Sequence, residues 1–376
     1  MDAIDSSSDN TGGSARGRRG GHVTISRCPS FTPELRPGVG GPSPEPNSMN
    51  DPAILLQGVT KRFRDKTAVD RLDLAVPAGS LCGFLGPNGA GKTTTIRMIM
   101  SIFYPDEGMV SVLGKRSAIE SKDRIGYLPE ERGVYRKMRV GQFLMYLGHL
   151  KGMRGPDLSR RIDHWLERIA LPDVRRKRCE ELSKGMQQKV QFLAAIMHDP
   201  DLIILDEPFS GLDPVNARLM RGLIEEMHRA GKTIIFSTHV LHSAEQLCTR
   251  IFMINKGRKI LDGSIDEIRA QFDPRTLIVE PLSVNGDAES RLGALPGVRS
   301  VGHAGQRNTL EVRLDTGFDP ARAMRSVVEA LPVRRIELRR PTLEDVFVHL
   351  VDPGDSEDNL RAMLKDQNAT EINADA

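Results

Sequence analysis

The sequence has no apolar run near the roughly 18 residues that a membrane-spanning helix requires, so no segment is expected to cross a bilayer. Residues 1–50 also lack the apolar stretch of a secretory leader, being mostly Ser, Gly, Pro and Arg. An excess of one charge is missing as well. Lys+Arg number 53 against Asp+Glu 50, a net charge of +3, which does not describe a dedicated nucleic-acid binder. Cysteine is scarce: Cys28, Cys82, Cys179 and Cys248 stand apart, with no paired spacing. That excludes a disulfide frame or a zinc site and suits free thiols in a reducing compartment. The expectation is a soluble, cytoplasmic chain whose membrane role, if any, comes through a partner.

What is present begins with length. A chain of 376 residues, with apolar content ample for a packed core, points to two domains plus a tail. Residues 1–50 carry "SSSDNTGGSARGRRGG" and "PGVGGPSPEPNS", a composition that cannot bury enough apolar surface to offset the entropy of ordering. They read as a disordered, solvated tail, and Met49 offers an alternative start. From Ile54 the pattern changes to strands, then to a helix after a glycine-rich loop. Residues 139–170 have helical periodicity, and "LSKGMQQKVQFLAAIM" opens on a serine cap and continues as a helix. "DLIILDEP" and "KTIIFSTH" are short, β-branched apolar runs suited to strands buried on both faces of a parallel sheet, with the helix "NARLMRGLIEEMHRAG" between them. Residues 52–270 therefore read as an α/β domain with a largely parallel core sheet. Residues 273–352 follow the order βαββαβ, the ferredoxin-like arrangement, and then a capped helix, "TLEDVFVHLV"; residues 353–376 look loose.

The stretch from Gly86 through Pro87, Asn88, Gly89, Ala90 and Gly91 to Lys92 and Thr93 has the spacing G-x-x-x-x-G-K-[ST]. It sits after a strand and before a helix, as its chemistry needs. Glycines let backbone N–H groups turn toward anionic oxygens, and the helix N-terminus adds partial positive charge. Lys92 is placed to reach β- and γ-phosphates, with Thr93 offering a hydroxyl to Mg²⁺ and Thr94 beside it. Asp206 and Glu207 end a buried strand. Buried carboxylates are expensive unless they ligate or pair. Asp206 is expected to hold Mg²⁺ and Glu207 to polarise an attacking water; an acidic pair can also cap the turn that follows. His239 ends the next strand and would reach the same sheet edge, beside Lys92 and Glu207. The arginine-rich run Arg175 to Arg178 reads as a solvated charged turn, with no nucleic acid expected.

"LSKGMQQKV" places Ser183 and Gly185 at the head of a helix, a second anion site. With "FSGLDP" after Glu207, the motif order resembles the nucleotide-binding subunit of ABC transporters over residues 54 to about 265. "LSKGM" resembles the family's LSGGQ signature, "SGLD" with Asp213 its D-loop, His239 its switch histidine, and Phe63 its adenine-stacking aromatic. The resemblance implies a P-loop NTPase cassette with a mostly parallel core sheet, an antiparallel β part and a helical subdomain, followed by a small α+β C-terminal domain. Two features depart from the family. Lys184 and Met186 replace signature residues, and Glu130 in "YLPEERGVY" stands where a metal-contacting glutamine is usual. Both changes resemble the sodium-efflux and drug-export branch, whose small C-terminal extension ends similarly to "PTLEDVFVHL".

The resemblance further implies an ATPase that binds ATP and Mg²⁺. Two copies would form a homodimer around two ATP molecules, each held between the Lys92 loop of one chain and the Ser183–Gly185 turn of the other. The dimer would drive separate polytopic permease subunits from the inner face of the membrane, docking them near Glu130. The rival is a soluble ATPase of the same class acting in translation or repair. Such translation factors usually carry two cassettes and such repair proteins long coiled coils, whereas one cassette is present here, with no sustained heptads.

Overall fold

The computed structural model describes residues 51–351, apart from 132, 272–274, 283–286, 304–307, 316 and 340. The tails expected at 1–50 and 353–376, with Cys28, lie outside the described residues.

Strands β1 (Pro52–Phe63) and β2 (Lys66–Pro77) form an antiparallel hairpin. β3 (Leu81–Leu85) follows, every residue buried, and leads through the glycine loop into α1 (Lys92–Ile99). β4 (Glu107–Val112) returns to pair with β1, completing a three-stranded sheet in the order β2-β1-β4. β5 (Ile125–Leu128) precedes a helical region of α2 (Val140–Leu150), α3 (Gly155–Arg168) and α4 (Lys184–Ile196). The chain then runs through β6 (Leu202–Asp206), α5 (Pro214–Arg229), β7 (Thr233–Thr238), α6 (Leu241–Leu247), β8 (Arg250–Asn255), β9 (Arg258–Ser264) and α7 (Ile265–Gln271). Six of these strands form one sheet in the order β5-β6-β7-β3-β8-β9, parallel except for the β8–β9 hairpin.

The run "LIIL" explains the central strand β6. Successive side chains point to opposite faces. Ile203 and Leu205 join the core beneath the helical region, and Leu202 and Ile204 join the core shared with the three-stranded sheet. Both faces are covered, so no polar face is needed. Parallel strands also deliver their C-terminal ends to one edge, where the loops after β3, β6 and β7 converge.

The remaining elements are β10 (Thr276–Pro281), α8 (Ala288–Gly293), β11 (Val298–His303), β12 (Leu310–Leu314), α9 (Pro320–Ala330), β13 (Val333–Leu338) and α10 (Leu343–Val351). Their sheet is antiparallel in the order β11-β12-β10-β13, the ferredoxin-like arrangement, around its own core. α10 leaves that core. Its Leu343, Val346 and Phe347 pack into the cluster that also holds Ala244 and Leu247 of α6, and the Leu343 N–H donates to Glu245 Oε1 at 2.8 Å.

One expectation is corrected. Arg176, Lys177 and Arg178 are exposed, but Arg175 is half-buried. Its guanidinium donates to Ser159 Oγ at 2.7 Å and pairs with Asp163, and its stem covers Gly141, where an added Cβ would lie 2.9 Å from Arg175 Cγ. It ties α2 to α3 through its apolar stem as well as its charge.

His198 lies behind β5, its Nε2 3.1 Å from the Ile125 carbonyl, an oxygen that also accepts from Lys151 Nζ at 2.8 Å. Burial, reinforced by the Lys151 charge, lowers its pKa to about 4. In the unfolded chain the ring takes a proton near ~6.5. The unfolded state therefore binds the extra proton between these values, and stability present above the unfolded value is lost as pH falls toward the folded one. His198→Gln keeps a donor but cannot titrate. It is expected to remove roughly 2–3 kcal/mol of the acid-side loss, read from urea unfolding at about pH 4.5 and about pH 7. An unchanged pH slope would contradict the assignment.

Candidate functional site

The loop after β3 is shaped by three glycines. Gly86, Gly89 and Gly91 have φ of 152°, 77° and 109°. A Cβ at Gly86 would sit 2.3 Å from the Ile254 carbonyl oxygen, and one at Gly91 2.6 Å from that of Ala68, so two of the three also need the space. Ala90 is buried, Pro87 half-buried, and Asn88 and Gly89 exposed. Lys92 opens α1 and folds back: its Nζ donates to the Gly86 carbonyl at 2.7 Å and the Pro87 carbonyl at 3.2 Å. Burial lowers its pKa, while Glu207, Asp206 and Glu130 oppose that. The first turn of α1 has no acidic residue and no side-chain cap, so its N–H groups and partial positive charge are open to an anion. Thr93 and Thr94 are half-buried, and Thr93 Oγ1 lies 3.5 Å from Glu130 Oε2.

The carboxylates arrive from β6. Asp206 pairs in register with Ser237 of β7, whose hydroxyl donates to Asp206 Oδ1. Asp206 Oδ2 is buried without a hydrogen-bond partner. Desolvation raises the Asp206 pKa to about 6, with Glu130 and Glu207 adding to it and the Ser237 bond and Lys92 opposing. An orphaned buried carboxylate oxygen that feels the Glu130 charge fits an oxygen-liganded cation. Among the described residues no three His, Cys, Asp or Glu side chains form a metal cage. Mg²⁺ is usually held by one or two carboxylates together with water and phosphate oxygens, and the unpartnered Asp206 oxygen is a donor of that kind.

Glu207 occupies the left-handed backbone region at φ 47°. Its N–H donates to the Ser237 carbonyl at 3.0 Å. Its Oε2 accepts from Thr238 Oγ1 at 3.0 Å, and its Oε1 accepts from the His239 N–H at 2.9 Å and, with the ring proton assigned to Nδ1, from the imidazole at 2.7 Å. The parallel pairing of β6 with β7 therefore brings Asp206, Glu207 and His239 together, and Lys92 feels both carboxylates.

The other expected residues lie on other elements. Ser183 caps α4, its Oγ accepting from the Met186 N–H at 3.3 Å. It is exposed, and the first turn of α4 has no acidic residue. Gly185 faces the loop after β6: a Cβ there would be 3.1 Å from the Gly211 carbonyl oxygen. Asp213 caps α5, its Oδ1 accepting from the N–H groups of Val215 and Asn216, both at 2.9 Å. Phe63 is 42% exposed at the end of β1, edge-on to Phe103 at 5.5 Å, so it belongs to the surface rather than to the core.

Three residues went unread in the sequence. Ser237 and Thr238 bond the two carboxylates. Gln188, buried on α4, donates to the carbonyls of Glu207 at 3.4 Å and Pro208 at 3.2 Å. The available signal was two hydroxyl residues closing an otherwise apolar strand, "IIFST", directly before the histidine.

Residues 69–210 match the family described as ABC transporter, and residues 263–351 the family described as ATP-binding protein DrrA1-3-like, C-terminal domain. The chain is 38% identical over 300 residues to an uncharacterized ABC transporter ATP-binding protein, YhaQ, of Bacillus subtilis, covering 79% of this chain and 98% of that protein. It is 33% identical over 344 residues to Nod factor export ATP-binding protein I of Sinorhizobium fredii, covering 87% of this chain and 96% of that one. A solved structure of the ATP binding subunit of an ABC transporter is similar with a TM-score of 0.55 at 28% identity, over 58% of this chain and 93% of that chain.

Because Gly91 needs both its φ and its space, Gly91→Ala is expected to distort the loop. Affinity for a fluorescent ATP analogue should fall at least about tenfold, which corresponds to about 1.4 kcal/mol. Titration of the purified variant measures this, and native affinity would show that the observed loop conformation is not the binding one.

Proposed function

The chain belongs to the ATP-binding proteins of ABC transporters, and from that premise we propose that it is the ATP-hydrolysing subunit of an export system, dimerising around two ATP and driving separate membrane permeases. The observation that carries this reading is the convergence of a glycine cradle, a buried lysine and two buried carboxylates at the ends of β3 and β6.

The backbone N–H groups of the loop from Asn88 to Thr94 hold the phosphates. Lys92 already has two carbonyl oxygens as partners, and in the loaded site it exchanges them for phosphate oxygens. Thr93, Asp206 and Glu130 are the residues to hold Mg²⁺, which supplies neutralising charge beside the phosphates when bound. Glu207 accepts the proton of the attacking water as the water oxygen bonds to the γ-phosphorus and the bond to the bridging oxygen breaks. His239 holds Glu207 and faces the γ-phosphate. Phe63 is the stacking surface for adenine.

The second half of each site comes from a partner copy. Ser183 and Gly185 open a helix whose first turn has no acidic residue, so an anion there meets uncompensated N–H groups. Asp213 lies in the adjoining loop. ATP supplies the charge that both surfaces need, and its hydrolysis removes it. Residues 52–270 are the cassette and 273–352 the accessory domain; among the described residues β10 to β13 have their own sheet and core, while α10 packs into the cassette's. The permease is a separate chain, and the subunit sits at the inner face of the membrane. Among the described residues no helix is long and apolar enough to cross it.

Glu207→Gln is expected to bind ATP while hydrolysis falls at least about 100-fold. The loaded variant should elute as a dimer from a sizing column; native turnover removes Glu207 from its role as base. Ser183→Arg is expected to leave ATP binding to the monomer within about twofold while abolishing that dimer in a Glu207→Gln background. Loss of ATP binding itself would contradict a two-chain site. Co-purification from detergent extract distinguishes the partners, with ribosomes or DNA in place of a polytopic protein favouring a soluble ATPase.

A further inference from the structure

We infer that Thr238 is a positioning residue for the catalytic base, its hydroxyl setting which oxygen of Glu207 receives the proton from water. The inference rests on the reading of Glu207 as that base.

Thr238 is the last residue of β7 and is 2% exposed. Its Oγ1 accepts from the Val240 N–H at 3.0 Å and lies 3.0 Å from Glu207 Oε2. A backbone N–H can only donate, and a hydroxyl has one proton. With the Val240 N–H occupying an acceptor site on Oγ1, that proton points at Glu207. The other carboxylate oxygen takes two donors from His239, its N–H and its ring. A carboxylate has about four acceptor sites, so these three donors leave one, and it is on Oε2.

The need for such a clamp follows from the side chain itself. The terminal torsion of Glu is broad and roughly twofold, so an unclamped carboxylate exchanges its oxygens freely. Here the Oε1 side is anchored by His239, and the Thr238 hydroxyl holds Oε2 against the rotation that remains. The Glu207 backbone is in the left-handed region, a conformation that persists where its surroundings over-determine it. The hydroxyl of Thr238 does the positioning, and its methyl group is dispensable to it.

The experiment compares steady-state ATP hydrolysis by the purified full chain carrying Thr238→Val, Thr238→Ser or Glu207→Gln, and the double variant. Thr238→Val keeps the shape and removes the donor. Its kcat is expected to fall about tenfold or more, the scale of a hydrogen bond to a charged group, with KM for ATP within about twofold. Thr238→Ser should restore kcat to near native, and Thr238→Val should add nothing once Glu207 is Gln. Native kcat in Thr238→Val overturns the inference. So does a Thr238→Ser variant as slow as Thr238→Val, which would place the effect in methyl packing, or an additive loss in the double variant. If Thr238→Val does not fold, Thr238→Ala, which also removes the donor, replaces it, and native kcat there overturns the inference equally. Native turnover by Glu207→Gln alone would instead remove the base assignment, and so separates the two failures.

Discussion

The parallel pairing of β6 with β7 is the constraint on which the site depends. It sets Asp206 opposite Ser237 and Glu207 beside Thr238 and His239. Two carboxylates are thereby held in a region where charge is expensive to bury without partners. The hydroxyls closing β7 satisfy one oxygen of each. His239 satisfies the second oxygen of Glu207, and the second oxygen of Asp206 has no protein partner. Glu207 is organised by the protein, whereas Asp206 is left with a vacant acceptor and a raised pKa. One arrangement suits a base held in a defined orientation, the other an oxygen donor to a cation.

The loop before α1 has the complementary electrostatics. Lys92 is taken out of water, and the carboxylates of Glu207, Asp206 and Glu130 favour its charge from across the site. Its ammonium rests on two backbone carbonyls, and the start of α1 carries no acid to cancel its partial charge. Positive and negative groups thus face each other without bonding directly. A polyphosphate and a cation between them would complete both halves, because each half lacks what the other ligand provides.

Two further contacts connect this centre to the rest of the chain. Gln188 lies five positions beyond Ser183 on the same helix and bonds the carbonyl of Glu207, so α4, whose start is exposed, is hydrogen-bonded to the backbone of the base. At the same end of β7, α6 begins just after His239, and Glu245 on it receives the N–H of Leu343 from α10. The C-terminal helix therefore packs against the helix that follows the histidine, although most of its own domain has a separate core.

The amino-acid sequence by itself determined the cassette, because its local rules agree with one another. The glycine spacing before Lys92, the apolar runs that lead to Asp206 and toward His239, and the serine opening α4 each state a local geometry that the fold keeps. The β8–β9 hairpin, β4, α6 and α7 were not read from it, since their runs are short, and β4 in addition pairs with β1, some fifty positions away. Only the tertiary structure decided how the carboxylates are partnered. Ser237 and Thr238 are ordinary strand residues in sequence, and they face Asp206 and Glu207 only because β6 and β7, some thirty positions apart, pair in parallel register. The same holds for Arg175, a turn charge in sequence that becomes a packed strut once α2 and α3 meet. Hydrogen bonds between distant strands leave no periodic trace in the chain, whereas a phosphate loop is written in consecutive residues.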